Sequence, residues 1–410
     1  MKQSKLFTKT SREAPKDETS FNAQILMRAG FIDKLAAGIY TFLPLGLRVH
    51  EKIKNIIRQE INLLGGQEVL MPALTPKENW QATGRWDNFD VLFKLKGGDD
   101  KEYALAATHE EIVTPTVAKH IFSYRDLPVA VYQFQTKFRN ELRAKAGLLR
   151  GREFSMKDLY SFHADQADLD KYYEQAIETY HQIYRRLGLA NLTYVTYASG
   201  GAFAKYSHEF QTVADAGEDT IFACEQCRAA VNKEIIDEQS TCPVCGSKDL
   251  VEKKAIEVGN IFKLGRKFTD DFGFSFKDAE GNDHEAVMGC YGIGPSRLMG
   301  TLAEIFHDER GLIWPAEVAP FAVHLLSLGK NDEAEKIYQE LTKAGIEVLC
   351  DDREDKSAGE KFAESDLIGC PTRVLVSEKT LAEESVEVKN RQSGEVKIIK
   401  IENLVSDLKK

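Results

Sequence analysis

Apolar residues recur at helical spacing over residues 46–64, where Val49, Ile53, Ile57, Ile61 and Leu64 share one face and Gly65-Gly66 supply a stop. That segment reads as a helix. A short strand at 68–71 follows and ends at Pro72, because proline has no N–H to give a sheet ladder. Over residues 129–139 the period changes to two. Tyr132, Phe134 and Phe138 fall on one face, and Gln133, Gln135, Lys137 and Arg139, with Glu141 beyond, fall on the other. After a loop rich in Arg, Lys and Gly, a second apolar segment runs over 154–162. The two read as a long hairpin whose polar face is either a ligand floor or a solvent face.

Residues 165–187 read as an amphipathic helix, with Leu169, Tyr173, Ala176, Tyr180, Ile183 and Leu187 on one side and Gly188 as its end. A strand is expected at 286–291, and Gly292-Ile293-Gly294-Pro295 then leads into a helix at 296–307. Beyond Trp314-Pro315 the pattern alternates: strand 321–327, helix 332–343, strand 346–350, helix 359–367, strand 373–376, and a final helix near Leu404. Alternation of this kind indicates a small α/β domain.

A chain of 410 residues with 43% hydrophobic content has room for two or three domains with real cores. Its apolar runs are short and broken by charges, and its first residues lack the apolar core of a secretory signal, so a soluble cytoplasmic protein with no membrane partner is expected. The net charge of −10 argues against nucleic-acid binding through a general positive field. One local exception stands out: seven Lys/Arg against two acids over residues 137–157, which suits a phosphate-bearing ligand or a solvated loop.

Four of the seven cysteines form two CxxC pairs, Cys224/Cys227 and Cys242/Cys245, with 14 residues between them. Such knuckles can supply four thiolates to a tetrahedral Zn²⁺. With every position filled by Cys, no place remains for water or substrate, so the expected role is structural. Cys290, Cys350 and Cys370 read as core thiols. Two further constellations carry chemistry. Arg139-Asn140-Glu141 on one strand faces Arg150 and Phe154 on the return, offering a phosphate fork, a hydrogen-bond acceptor and a stacking ring. The turn from Gly289 to Arg297 allows close approach to backbone and adds a cation at a helix start, but it is neither a Walker A motif nor a dinucleotide fingerprint.

Together these pieces resemble the signature motifs of class II aminoacyl-tRNA synthetases. The first helix and the strand ending at Pro72 resemble motif 1, Phe138-Arg139-Asn140-Glu141 with Arg150 and Phe154 resembles motif 2, and the turn ending at Arg297 resembles motif 3. Within that class the stretches at 28–35, 84–86, 108–111, 135–141, 152–163, 289–294 and 308–315 resemble the bacterial prolyl-tRNA synthetase family over nearly the whole chain. The resemblance implies an α+β architecture: an antiparallel-sheet catalytic domain (1–222 and 254–318), a zinc-ribbon-like insert (223–253) and a C-terminal α/β anticodon-binding domain (319–410). It implies ATP with Mg²⁺, L-proline and tRNA(Pro) as partners, and a homodimer through motif 1.

The resemblance also carries residue roles. Arg139 would clamp the α-phosphate and the proline carboxylate, Glu141 would read the adenine amino group, and Phe154 would stack on adenine. Arg150 and Arg297 would grip the terminal phosphates, and Glu257 would line the ATP site, with Asn260 where bacterial relatives have histidine. Thr108, Glu110 and His163 would hold proline. Many relatives carry a long editing domain between positions matching Thr220 and Ile256, where this chain has only the short cysteine-bearing insert. The alternatives are a threonyl enzyme, whose family holds zinc in the amino-acid pocket, and a paralogue that binds tRNA without charging it.

Overall fold

The computed structural model describes residues 1–142, 144–201 and 203–409, so Arg143 of the basic run lies outside the described residues. The chain divides into two compact units, one of Ala36–Ile39 and Ile53–Thr301, the other of Met1–Leu35, Tyr40–Lys52 and Leu302–Lys410.

The larger unit is built on a nine-stranded sheet. In chain order its strands are β1 (Gln67–Glu68), β2 (Val129–Phe138), β3 (Glu153–His163), β4 (Thr193–Ser199), β5 (Tyr206–Val213), β6 (Asp219–Ala223), β7 (Ala229–Asn232), β8 (Val251–Gly265) and β9 (Val287–Ile293). Across the sheet they run β5-β4-β7-β6-β8-β9-β3-β2-β1, and β5 also pairs with β8, so five of them close a circuit. Neighbours are antiparallel except β1 with β2 and β4 with β7. The expected hairpin is β2 against β3, in register from Val129↔Phe162 to Phe138↔Glu153. The expected strand at 68–71 shrinks to Gln67–Glu68 because side chains replace the ladder beyond it. The Met71 N–H donates to Gln133 Oε1 at 2.9 Å, and Gln135 Nε2 donates to the Met71 carbonyl at 2.6 Å.

Helices cover the sheet: α1 (Pro44–Leu63), α2 (Glu110–Ala118), α3 (Gln166–Arg186) and α4 (Pro295–Ile305). α3 starts where Asp165 caps the Asp168 N–H at 2.9 Å. It buries the expected stripe plus Tyr172 and Tyr184. These tyrosines lie close on the strands: a methyl group at Gly259 would stand 2.4 Å from the Tyr184 hydroxyl. β9 runs to Ile293, two residues beyond the expected end, so Gly292 belongs to the strand, and α4 begins on Pro295, whose fixed φ suits a first helical position.

The cysteine-bearing segment is not a separate sheet. The boundaries expected at 222/223 and 253/254 fall inside β6 and β8, and β7 sits between β4 and β6. The smaller unit carries its own sheet: β10 (Val323–Ser327), β11 (Val348–Asp351), β12 (Thr372–Val376), β13 (Ser385–Asn390) and β14 (Val396–Lys400), ordered β11-β10-β12-β13-β14. The first three are parallel, as the alternation implies, with α5 (Asn331–Lys343) and α6 (Ala358–Ile368) in their connections. The antiparallel hairpin β13–β14 and the final helix α7 (Ile401–Leu408) complete it. Residues 1–35, expected with the catalytic domain, group with this unit, where Gln3 meets both His324 at 2.8 Å and Glu364 at 3.2 Å.

Candidate active site

One face of the sheet forms the floor of a cavity of about 380 Å³. Strand alternation selects the floor: Phe154, Met156, Asp158 and Tyr160 of β3, Cys290 and Gly292 of β9, and Val258, Asn260 and Phe262 of β8, with Arg139 just past β2. Cys290, expected to be a core thiol, is buried yet lines the cavity. A side chain at Gly292 would stand on this floor. The start of α2 closes one end with Thr108 and Glu110, and Leu148 to Gly151 border the other.

At the α2 end Glu110 is fully buried. Its Oε2 accepts from the Thr108 hydroxyl and from Arg85 Nη1 at 3.3 Å, while the Cys290 thiol approaches Oε1 at 3.4 Å. Arg85 also donates to Glu111 at 2.9 Å. Burial pushes the Glu111 carboxyl up to about 7, against the pull of Arg85. Beneath this pair, Asp158 Oδ2 accepts from Lys137 at 2.8 Å and Gln133 at 2.9 Å. His109 is held down to about 4 by burial and by the neighbouring Lys137 charge, so its ring is neutral. Nδ1 then accepts from Lys137, and Nε2–H donates to the Pro72 carbonyl at 3.0 Å. The polar face of β2 is therefore ligand floor at Arg139, but at Gln133 and Lys137 it is roofed by protein.

At the other end the Arg139 guanidinium sits 5.2 Å from the centre of the Phe154 ring. Glu141 accepts from Arg150 at 3.1 and 3.0 Å, and Arg150 also reaches Glu218 at 3.4 Å. Arg297 Nη1 donates to the Glu257 carbonyl at 2.7 Å and to its carboxylate at 3.0 Å, and Nε donates to the Leu149 carbonyl at 2.9 Å. Asn260 donates to Glu257 at 3.0 Å. Two arginine–carboxylate pairs thus stand where the sequence expects nucleotide phosphates and base.

Of the expected residues, Thr108, Glu110, Arg139, Glu141, Arg150, Phe154, Glu257 and Arg297 line this one cavity. His163 does not join them. It occupies an odd-numbered position of β3 and faces α3, where it meets Asp168 at 2.7 Å, the Ser161 hydroxyl at 2.9 Å and the Tyr172 ring. Sequence reasoning missed Arg85, Asp158, Phe203 and Phe262. Counting by twos from Phe154 would have found Asp158; nothing local marks the others.

The four cysteines lie elsewhere, none of them on the cavity lining. Their sulfurs all fall within 4.8 Å of one another, with Cys224–Cys245 at 3.6 Å and Cys227–Cys242 at 3.2 Å. A tetrahedral ion with metal–sulfur bonds of about 2.3 Å separates its sulfurs by about 3.8 Å, so the cluster fits such an ion. Both knuckles close alike: Arg228 (φ +58°) and Gly246 (φ +75°) each donate back to the first cysteine of the pair, at 3.0 and 2.9 Å.

Residues 93–306 match the family described as "tRNA synthetase class II core domain (G, H, P, S and T)", and residues 321–410 match "Anticodon binding domain". Sheet, cavity and C-terminal unit together are the architecture of a class II aminoacyl-tRNA synthetase. Curated proline–tRNA ligases are similar over their full length. The one from Dehalococcoides mccartyi is 33% identical, with 99% of this chain and 98% of that one covered. The one from Geobacillus kaustophilus is 35% identical with the same coverage. The chain belongs to the proline–tRNA ligase family. These alignments extend over 559 and 561 positions against 410 residues here, so the relatives carry residues without counterpart in this chain. In fold it is similar to a crystal structure of prolyl-tRNA synthetase from Cryptosporidium parvum complexed with L-proline and AMP (TM-score 0.76, 21% identity, 95% of this chain and 76% of that one). No helix among the described residues is long and apolar enough to cross a membrane.

Proposed function

We propose that the chain activates L-proline with ATP and transfers it to the 3′ end of tRNA(Pro), as a cytoplasmic homodimer joined through α1 and β1. The observation that carries this is one cavity with a buried carboxylate, Glu110, at one end and an arginine-rich end at the other, in a chain of this family. The proline ammonium meets Glu110, which the Thr108 hydroxyl orients by donating to Oε2. The proline carboxylate lies against Arg139 and attacks the α-phosphorus in line, expelling pyrophosphate. The tRNA ribose hydroxyl then attacks the prolyl-adenylate carbonyl, breaking the acyl–phosphate bond and releasing AMP. No protein nucleophile is needed; catalysis is positioning and charge stabilisation.

ATP displaces the Arg150–Glu141 ion pair and meets Arg297 in the orientation that Glu257 holds. The adenine amino group takes Glu141 from Arg150, and terminal phosphates engage Arg150 and Arg297, while Phe154 stacks on the base. Mg²⁺ bound with ATP would supply neutralisation of the phosphate charge. Glu257 and Asp219 line the cavity with oxygen donors suited to it. Zn²⁺ at Cys224, Cys227, Cys242 and Cys245 is structural, and because none of these cysteines lines the cavity the site differs from the threonyl reading, in which zinc holds the amino acid. We assign residues 1–222 and 254–318 to catalysis, 223–253 to the metal ribbon and 319–410 to anticodon binding.

ATP–pyrophosphate exchange with each of the twenty amino acids tests the proposal. Proline is expected to be the best substrate; a faster rate with threonine or serine overturns it.

A further inference from the structure

Asp158 lies at the amino-acid end of the cavity, only 2% exposed, and its two oxygens are used unequally. Oδ2 accepts from both Lys137 and Gln133, whereas Oδ1 is buried with no hydrogen-bond partner. A buried carboxylate oxygen without a donor is costly, and native sites retain one where a ligand supplies the donor. Arg85 is shared by Glu110 and Glu111, and Lys137 pairs with Asp158 Oδ2, so neither cation serves Oδ1.

The need for a second acceptor follows from the state of Glu110. Its Oε2 already accepts from Thr108 and Arg85, which leaves Oε1, beside the weak Cys290 donor. A cyclic secondary ammonium carries two N–H groups to be satisfied in a dry pocket. We propose that Asp158 Oδ1 accepts one of them and Glu110 the other, so that Asp158 is a substrate-binding residue for the cyclic ammonium. Lys137 and Gln133 are then positioning residues. By holding Oδ2 they leave Oδ1 as the oxygen without a donor.

The inference rests on the reaction proposed above, and its test is Asp158→Asn. The amide oxygen goes to Lys137, which turns the NH₂ toward the ammonium and replaces an acceptor with donors. In pyrophosphate exchange the proline KM should rise roughly ten- to hundredfold, the loss expected for one charge-assisted hydrogen bond, while the ATP KM stays within about twofold. Tetrahydrofuran-2-carboxylate, with a ring oxygen in place of the ammonium, serves as the control inhibitor. Its inhibition constant should not weaken in the variant, because it has no N–H for Asp158 to accept. An unchanged proline KM in a folded variant overturns the proposal, as does an inhibition constant that weakens in step with proline, which marks a merely structural role. If Asp158→Asn melts early, Asp158→Ala assayed in the cold with the same two readouts decides in its place. Absence of proline-dependent exchange in the unaltered enzyme would instead refute the parent reading.

Discussion

Arg297 holds Glu257 through one nitrogen twice over, by its main-chain carbonyl at 2.7 Å and by its carboxylate at 3.0 Å, while its Nε is tied to Leu149. The guanidinium is therefore fixed in orientation before any nucleotide arrives. Lysine cannot reproduce such a fork from a single ammonium. Arg297→Lys is expected to lower pyrophosphate exchange by at least about tenfold, mainly in kcat, as one charge-assisted contact to a phosphate is lost. An unaltered rate would place the terminal phosphates elsewhere.

Arg139 stands between the two ends of the cavity, over Phe154. In the proposed reaction its charge meets both reacting groups, so Arg139→Ala should cost roughly a hundredfold or more in exchange, the scale of removing a donor aimed at developing charge. Circular dichroism must show the variant folded. Near-normal exchange in such a protein would remove Arg139 from the chemistry.

The sulfur cluster calls for metal analysis. Protein purified under reducing conditions should carry about one zinc per chain, and a chelator should lower its melting temperature, since site and fold form together. Cys242→Ser should do the same without chelator. Zinc well below half an equivalent, with a melt indifferent to chelation, would mean the knuckles hold themselves.

Accuracy toward alanine follows from chemistry that the pocket cannot escape. Alanine lacks only ring atoms, a difference worth about 1–3 kcal/mol of discrimination. The chain passes from β6 to β8 through the cysteine segment alone. The enzyme should therefore make alanyl-tRNA at a measurable rate and leave it intact. Decay of pre-formed alanyl-tRNA(Pro), followed with and without enzyme, is the measurement; acceleration by enzyme would reveal a hydrolytic site.

Glu209 on β5 gives a pH signature. Burial, aided by the Glu257 charge, pushes its carboxyl up to about 8, although Gln211 and Asn232 donate to it at 2.8 and 3.0 Å. A carboxyl raised on folding binds its proton more tightly in the folded state. Its contribution is complete below the unfolded value of 4.5 and is lost as pH rises through about 8. Glu209→Gln should gain stability relative to the parent between pH 5 and pH 8. Parallel melting curves for the two proteins across that range would show that Glu209 does not titrate there.

Much of this was legible in the sequence where one face of an element is buried. The stripe from Leu169 to Leu187 located α3, period-two alternation located β2, and the apolar segment after it located β3. Strands covered on both faces left no such trace: β5 packs Phe210 beside buried Gln211 and Thr212, and β8 places Gly259 under a tyrosine. His163 shows how a motif misleads when its period is ignored. It stands an odd number of positions from Phe154, so a strand that turns one ring into the cavity turns the other side chain away. Arg85 arrives from a short helix far along the chain from the sheet that it serves, and only tertiary packing brings it to Glu110.

The last rung joining β6 to β8 pairs Ala223 with Val251. Between those residues the chain first returns to the sheet as β7, where Ala230 pairs with Ala223, and only the stretch from Lys233 to Leu250, with the second knuckle, leaves it before Val251. Closing a longer excursion there costs little, about 0.6 kcal/mol for each doubling of length. The stretch between Asn232 and Val251 is thus a socket: a longer module can be plugged in there without shifting the strands that carry Asp219 and Glu257, provided β7 keeps its place between β4 and β6. A transplanted domain whose own termini lie side by side should fold there and leave proline activation running.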